Sequence, residues 1–315
     1  MISLPGLKEK LENLELSLND RALILDELAE NYPQDALKII VPYTKDKHQY
    51  MRSASASSLG KLKGRKIYPY LLELMYDNEI HVRKDTAIAL GNTKDSRALF
   101  PLINFYNSRD YQEKHSVLLT LKELEDPRSL SFLVQVLETE NDKSLKDEAL
   151  YVKNMLEHSQ QPFIYTYNGA EEKVEAAKST NEQILIGSID DLESSYSQIL
   201  KYSNAFDPPR PQTYILTLNG EFVIGGLIQE HVEVSKGEDV LSAGEIEFKK
   251  DNNIWAVDSI NNRSNGYYPD PSSFIYVKTA LKNSGIVVPQ NSFTETFPKN
   301  GFNDSDFLSI HPQFK

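Results

Sequence analysis

The chain has 315 residues, enough for two hydrophobic cores, and its 40% hydrophobic and 25% charged composition is that of a globular protein. It contains no cysteine, which excludes disulfides, thiolate catalysis and cysteine-ligated zinc. The net charge of −12 is uneven: residues 1–158 hold 22 Lys/Arg against 25 Asp/Glu, and residues 159–315 hold 12 against 21, so the second half fits a phosphate backbone poorly.

The opening MISLPGLKEKLENLE lacks a basic stretch followed by an apolar core, and no apolar run approaches 18 residues. Neither a secretory leader nor a membrane span is expected, and the cytoplasm is the expected location. The sequence then repeats itself. Arg21, Arg52, Arg83 and Lys114 recur every 31 residues, and Gly60 with Gly91, Asp95 with Asp126, and Arg97 with Arg128 keep that interval. MRSASASSLGKL (51–62) superposes on VRKDTAIALGNT (82–93), and KDSRALFPLINF (94–105) on EDPRSLSFLVQV (125–136). Each unit reads as two helices: Val82, Ala87, Ala89 and Leu90 make one apolar stripe, and Ala98, Leu99, Leu102 and Ile103 the next. Gly91 is placed to end the first helix and Asp95 to cap the second. Ala54, Ala56, Ala87 and Ala89 leave room for close helix approach. A pair alone cannot bury both stripes, so neighbouring pairs stack into an α-solenoid.

The segment YDNEIHVRKDTAIALGNTKDSRALFPLINF resembles the short HEAT repeat of the phycobilin-lyase type. Asp77, Val82, Arg83, Ala87, Ala89, Leu90, Gly91, Asp95, Arg97 and Ala98 match that pattern. The resemblance runs over about residues 15–157, as about five helical pairs with atypical first and last units. It implies a curved solenoid that holds a protein partner. Arg52, Arg83 and Lys114 are candidate partner-binding residues; a ladder of ion pairs to neighbouring turns is the structural reading of the same row. Lys61, Lys63, Arg65 and Lys66 form a basic inter-helix cluster that reads as a solvated loop or as a phosphate contact. His48, His81 and His115 fall at different phases of the repeat, so no metal row is expected.

Periodicity stops after Met155, and HSQQP (158–162) reads as a linker. The chain is therefore expected to be multi-domain: an all-α HEAT-repeat solenoid (1–158), then an α+β domain with a mainly antiparallel sheet (159–315). In that domain FIYTYN (163–168) reads as a strand, 171–179 as a helix, 184–188 as a strand and 189–203 as a helix. PPRPQ (208–212) reads as a linker with restricted backbone. Asn219-Gly220 between alternating runs predicts a hairpin. The mid-strand pair Gly225-Gly226 suggests a bulge. Strands are expected near 229–235, 240–249 and 253–260, with a turn at Asp251–Asn253. A helix is expected over 272–284 and a return to the sheet at Phe293–Phe297. Phe302, Phe307 and Ile310 are possible docking points in the polar tail.

The stretch from Glu230 to Pro271 is the densest in polar, aromatic and turn-forming residues. Its Ala243-Gly244-Glu245-Ile246 and Ile260-Asn261-Asn262-x-Ser264-x-Gly266-Tyr267-x-Pro269 resemble a bacterial module of unassigned role, related to a pattern in plant calmodulin-binding IQ-motif proteins. The resemblance covers about residues 213–297. It departs where Asn265 intervenes and where Tyr268 replaces the cysteine of some relatives, and it carries no activity with it. His231, Glu245 and Tyr267 would supply a base, an acid and a hydroxyl if the domain were an enzyme. Asn262, Ser264 and Tyr267 are candidate ligand-binding residues; INNRSNGYYPDP can equally satisfy its own backbone. No P-loop, GxGxxG, nucleophile motif or H-E-x-x-H spacing is present.

The leading expectation is a scaffold that binds a protein partner through the solenoid, with the α+β domain as a second binding module; an immunity or antitoxin-like role would suit it. The alternative is an enzyme transferring a group on a nucleotide or protein substrate through the 231–267 constellation, with the solenoid as recruiter. A third reading is nucleic-acid binding through the basic loops. No cofactor, metal, nucleic acid or membrane partner is expected.

Overall fold

In the computed structural model, residues 3–62, 64–107, 110–159, 162–180, 183–203, 210–226, 229–264 and 266–296 are described. They fall into two compact units divided after Ser159. Gln160, Gln161, Lys63, Pro208, Pro209, Asn265, Phe297, Phe302, Phe307 and Ile310 lie outside the described residues.

In the first unit, capping residues or prolines mark the starts of several helices. Ser3 precedes α1 (Leu4–Glu12), and Ser17 accepts from Asp20 N at 3.1 Å to open α2 (Leu18–Asn31). Proline begins α3 (Pro33–Ile40) and stands second in α5 (Tyr68–Leu74), where its missing N–H costs nothing. Between them runs α4 (Gln49–Gly60), and α6 (Ile80–Thr93) and α7 (Leu99–Asn107) repeat the pair. Asp110 and Asp142 cap α8 (Tyr111–Leu124) and α10 (Lys143–Glu157), with α9 (Ser129–Thr139) between them. The helices α2, α4, α6, α8 and α10 pack side by side in order as one layer, with α3, α5, α7 and α9 as the second. Leu25, Leu59, Leu71, Leu90, Leu102, Leu118, Leu133 and Val152 fill the space between layers. Among the described residues the fifth unit is α10 alone.

Gly91 does not end its helix. It lies inside α6, and the left-handed residues that close α6 and α8 are Lys94 (φ 56°) and, one period on, Glu125 (φ 57°). The glycine is set by packing. A Cβ on Gly60 would lie 2.8 Å from the Cα of Ala89, and one on Gly91 would lie 2.9 Å from Thr120 Cγ2. The two contacts are the same crossing displaced by one repeat. At the next step the period brings Lys122 and Tyr151 to these positions, and the lysine Nζ stacks 5.6 Å above the tyrosine ring. The tight crossing is thus replaced by a long side chain on an aromatic face. Asp95 caps as expected, accepting from Arg97 N at 3.0 Å.

The second unit is a six-stranded sheet in the order β1-β3-β2-β4-β5-β6, antiparallel except for the β5–β6 pair. Its strands are β1 (Gln183–Leu185), β2 (Gln212–Thr217), β3 (Phe222–Gly225), β4 (Val240–Asp251), β5 (Ile254–Asn261) and β6 (Phe293–Thr294). One hairpin turns at Gly220 (φ 80°), the other through left-handed Asn252 and Asn253 (φ 48° and 64°), as tight turns require. α12 (Ile189–Ser203) and α14 (Phe274–Asn283) cover one face over Leu192, Tyr214, Phe222, Trp255 and Val277. α11 (Glu171–Ala177) and α13 (His231–Val234) lie on the other, over Val174, Ile215, Val234 and Ala243.

Three expectations change here. The run 229–235 is not a strand: Glu230 and Glu233 form a reciprocal capping box that starts α13, and Val232 and Val234 are buried. The run 163–168 contributes only one isolated bridge, Tyr165 to Val240. Gly225 marks no bulge; a Cβ there would meet Val234 Cγ2 at 2.6 Å, so the glycine admits α13, and the register shifts fall instead at Leu216/Thr217 and Glu247/Phe248.

Candidate functional site

The 231–267 constellation is assembled around α13. His231 begins the helix and its Nε2 lies 2.8 Å from the Gly244 carbonyl of β4. Burial pushes the imidazole down to about 4, with the carbonyl opposing the shift, so the ring is neutral and Nε2–H donates. Just past the helix, Ser235 Oγ lies 2.6 Å from the Tyr267 hydroxyl, which donates to Glu238 O at 2.7 Å. Gly244 is forced by the neighbouring strand, since a Cβ there would run into the carbonyl oxygen of Asn261 on β5. Glu245 is held through its Oε2 by Asn261 Nδ2 at 3.1 Å, and Glu247 by Ser259 Oγ at 2.7 Å. The polar ends of His231, Glu245 and Tyr267 are therefore bonded to three different places.

The loop after β5 closes on itself in the same way. Asn262 is fully buried; its Nδ2 donates to Pro269 O at 2.7 Å, and its Oδ1 accepts from Thr296 N and Oγ1 at 2.7 and 3.0 Å. Ser264 Oγ accepts from Tyr267 N at 3.3 Å. Tyr165 receives Asp270 N at 3.0 Å, and the Tyr167 ring fills the place that a Gly266 Cβ would take. The two tyrosines that support the loop come from FIYTYN, which sequence alternation assigns to a strand. Asn262 and Ser264 thus serve as hydrogen-bonding partners of the loop backbone, while the Tyr267 hydroxyl leaves the loop for Ser235 and Glu238. Among the described residues no three His, Asp or Glu side chains gather as a metal-holding group.

In the first unit the basic row forms a ladder. Arg52 grips Asp77 with Nε and Nη2 at 2.6 and 2.9 Å and reaches Asp46 O at 2.8 Å. Arg83 Nε meets Glu113 at 2.7 Å and its Nη1 meets Asp77 O at 2.7 Å. Lys114 Nζ meets Glu140 at 2.7 Å over the Tyr106 ring, and that bond leads the causes holding the Glu140 carboxyl at about 2. Each cation ties its helix to the next repeat: Arg52 and Lys114 to the turn that follows the second helix, at Asp77 and Glu140, and Arg83 to Glu113 in the first turn of α8. A recess of about 370 Å³ opens beside the first rung, walled by Arg52, Asp77, Lys45, Glu73 and Tyr76.

A second ladder runs through the buried pairs. Arg128 is 1% and Asp126 0% exposed; Arg128 Nε meets Asp126 at 2.9 Å and its Nη2 donates to Ser96 O at 2.9 Å. Arg97 repeats this with Asp95 and Arg65 O. Their 31-residue spacing was the signal for this role.

On the solvent side of the first-helix layer, Ile88 and Leu150 stand two periods apart with 42% and 46% exposure, and half-buried Leu119 lies between them. Tyr50, Tyr111 and Tyr151 are also exposed in this layer.

A family model for HEAT repeats matches residues 4–89 and 68–152. The first unit is a stack of HEAT repeats. The HEAT unit therefore takes in α1 through most of α10. Among solved structures, the chain is similar to the complex of CpcE and CpcF of phycocyanin lyase from Nostoc sp. PCC7120, at 19% identity, covering 63% of this chain and 81% of that one, with a TM-score of 0.41. It is also similar to an engineered protein at 15% identity, covering 49% of this chain and 80% of that one, with a TM-score of 0.36. No curated protein matches it. Among the described residues no helix is long and apolar enough to cross a membrane.

Proposed function

We propose that this protein is a recognition scaffold of the cytoplasm. In this reading the exposed face of α4, α6, α8 and α10 in the HEAT unit docks a protein partner, and the α+β unit acts as a second binding module. The observation that carries the reading is a contrast in how polar and apolar groups are used. His231, Asn262, Ser264 and Tyr267 are engaged with their own backbone, whereas Ile88, Leu150, Tyr50 and Tyr151 stand exposed. Large apolar and aromatic side chains presented on a rigid layer are the usual anchors of protein interfaces. Arg52, Arg83 and Lys114 act in this reading by fixing the angle between repeats, and so the spacing of the anchors. Lys61, from the basic cluster, is neutralised by Glu30 at 2.7 Å and Asp26 at 3.2 Å, which argues against a phosphate contact there. An immunity or antitoxin-like task is the specific form that this architecture and acidity suit, by analogy of fold.

The test is a photo-reactive amino acid placed at Leu150 in cells. The reading expects one discrete cross-linked protein there and none from the same probe at the hairpin residue Glu221. Cross-linking confined to position 221 would overturn it.

A further inference from the structure

We draw no further inference here: the strongest candidate, the stretch of β4 beyond Ala243 where the half-buried carboxylates of Glu245 and Glu247 lie two residues apart on one strand, is an acidic cluster beside which nothing among the described residues points to a ligand.

Discussion

Arg128→Ala removes the most deeply buried cation among the described residues of the HEAT unit. Its partner Asp126 is 0% exposed and, of the bonds it now shares with that residue, would keep only the one from the Arg128 backbone N–H, at 3.0 Å. The bond from the guanidinium to Ser96 O, 2.9 Å long, would be lost as well. Breaking a buried pair by deleting one partner costs about 3–5 kcal/mol, and the surviving backbone bond places this case near the lower end. The assay is urea unfolding of the full chain followed by two probes. Ellipticity at 222 nm is dominated by the helices of the HEAT unit, while the single tryptophan, Trp255, is buried in the second unit. A loss of about 3 kcal/mol lowers the ellipticity midpoint by roughly 1 M urea. The Trp255 midpoint should stay in place, because each unit has its own core. Asp126→Ala combined with Arg128→Met should recover part of the loss, since an apolar pair leaves no uncompensated charge. A shift under about 0.2 M, or equal shifts in both probes, would show that the buried pair does not hold the HEAT unit together in this way.

Gly60→Ala should destabilise the HEAT unit by about 1–3 kcal/mol, because overpacking against the Ala89 backbone outweighs the gain in helix propensity of about 1 kcal/mol; a rise in the ellipticity midpoint would contradict this. His231 is held neutral when folded, down to about 4, whereas the unfolded chain takes up the proton near the ordinary 6.5. The unfolded state binds the extra proton, so stability of the second unit should fall as pH drops from about 6.5 toward 4, by at most about 3 kcal/mol. Urea titrations read by Trp255 should show that slope in the native chain and a flatter one in His231→Gln.

The repeat was legible because stacking is a nearest-neighbour affair, so every unit restates the same contacts in the same letters. The glycine period was legible too, but its cause was not. A glycine near a helix end fits a C-cap, and only the crossing with Ala89 or Thr120 reveals a steric demand. The α13 segment was misread because Val232 and Val234 alternate with polar residues as in a strand. Its capping box is spelled with glutamates at both ends, which hides the usual signature. For the 231–267 constellation, residue types alone cannot tell a ligand's partner from a backbone's. That depends on contacts such as Tyr165 with Asp270, 105 residues apart in sequence.

Recognition through the exposed face of the HEAT unit, as proposed above, can be set against recognition through the second unit in one experiment. Calorimetric titration of the protein cross-linked at Leu150 into native chain, an Ile88→Asp/Leu150→Asp variant and a Glu245→Gln variant tests it most directly. A Kd at least tenfold weaker, about 1.4 kcal/mol, is expected for the double variant, and an unchanged Kd for Glu245→Gln. Unchanged binding by the double variant with loss in Glu245→Gln would contradict it.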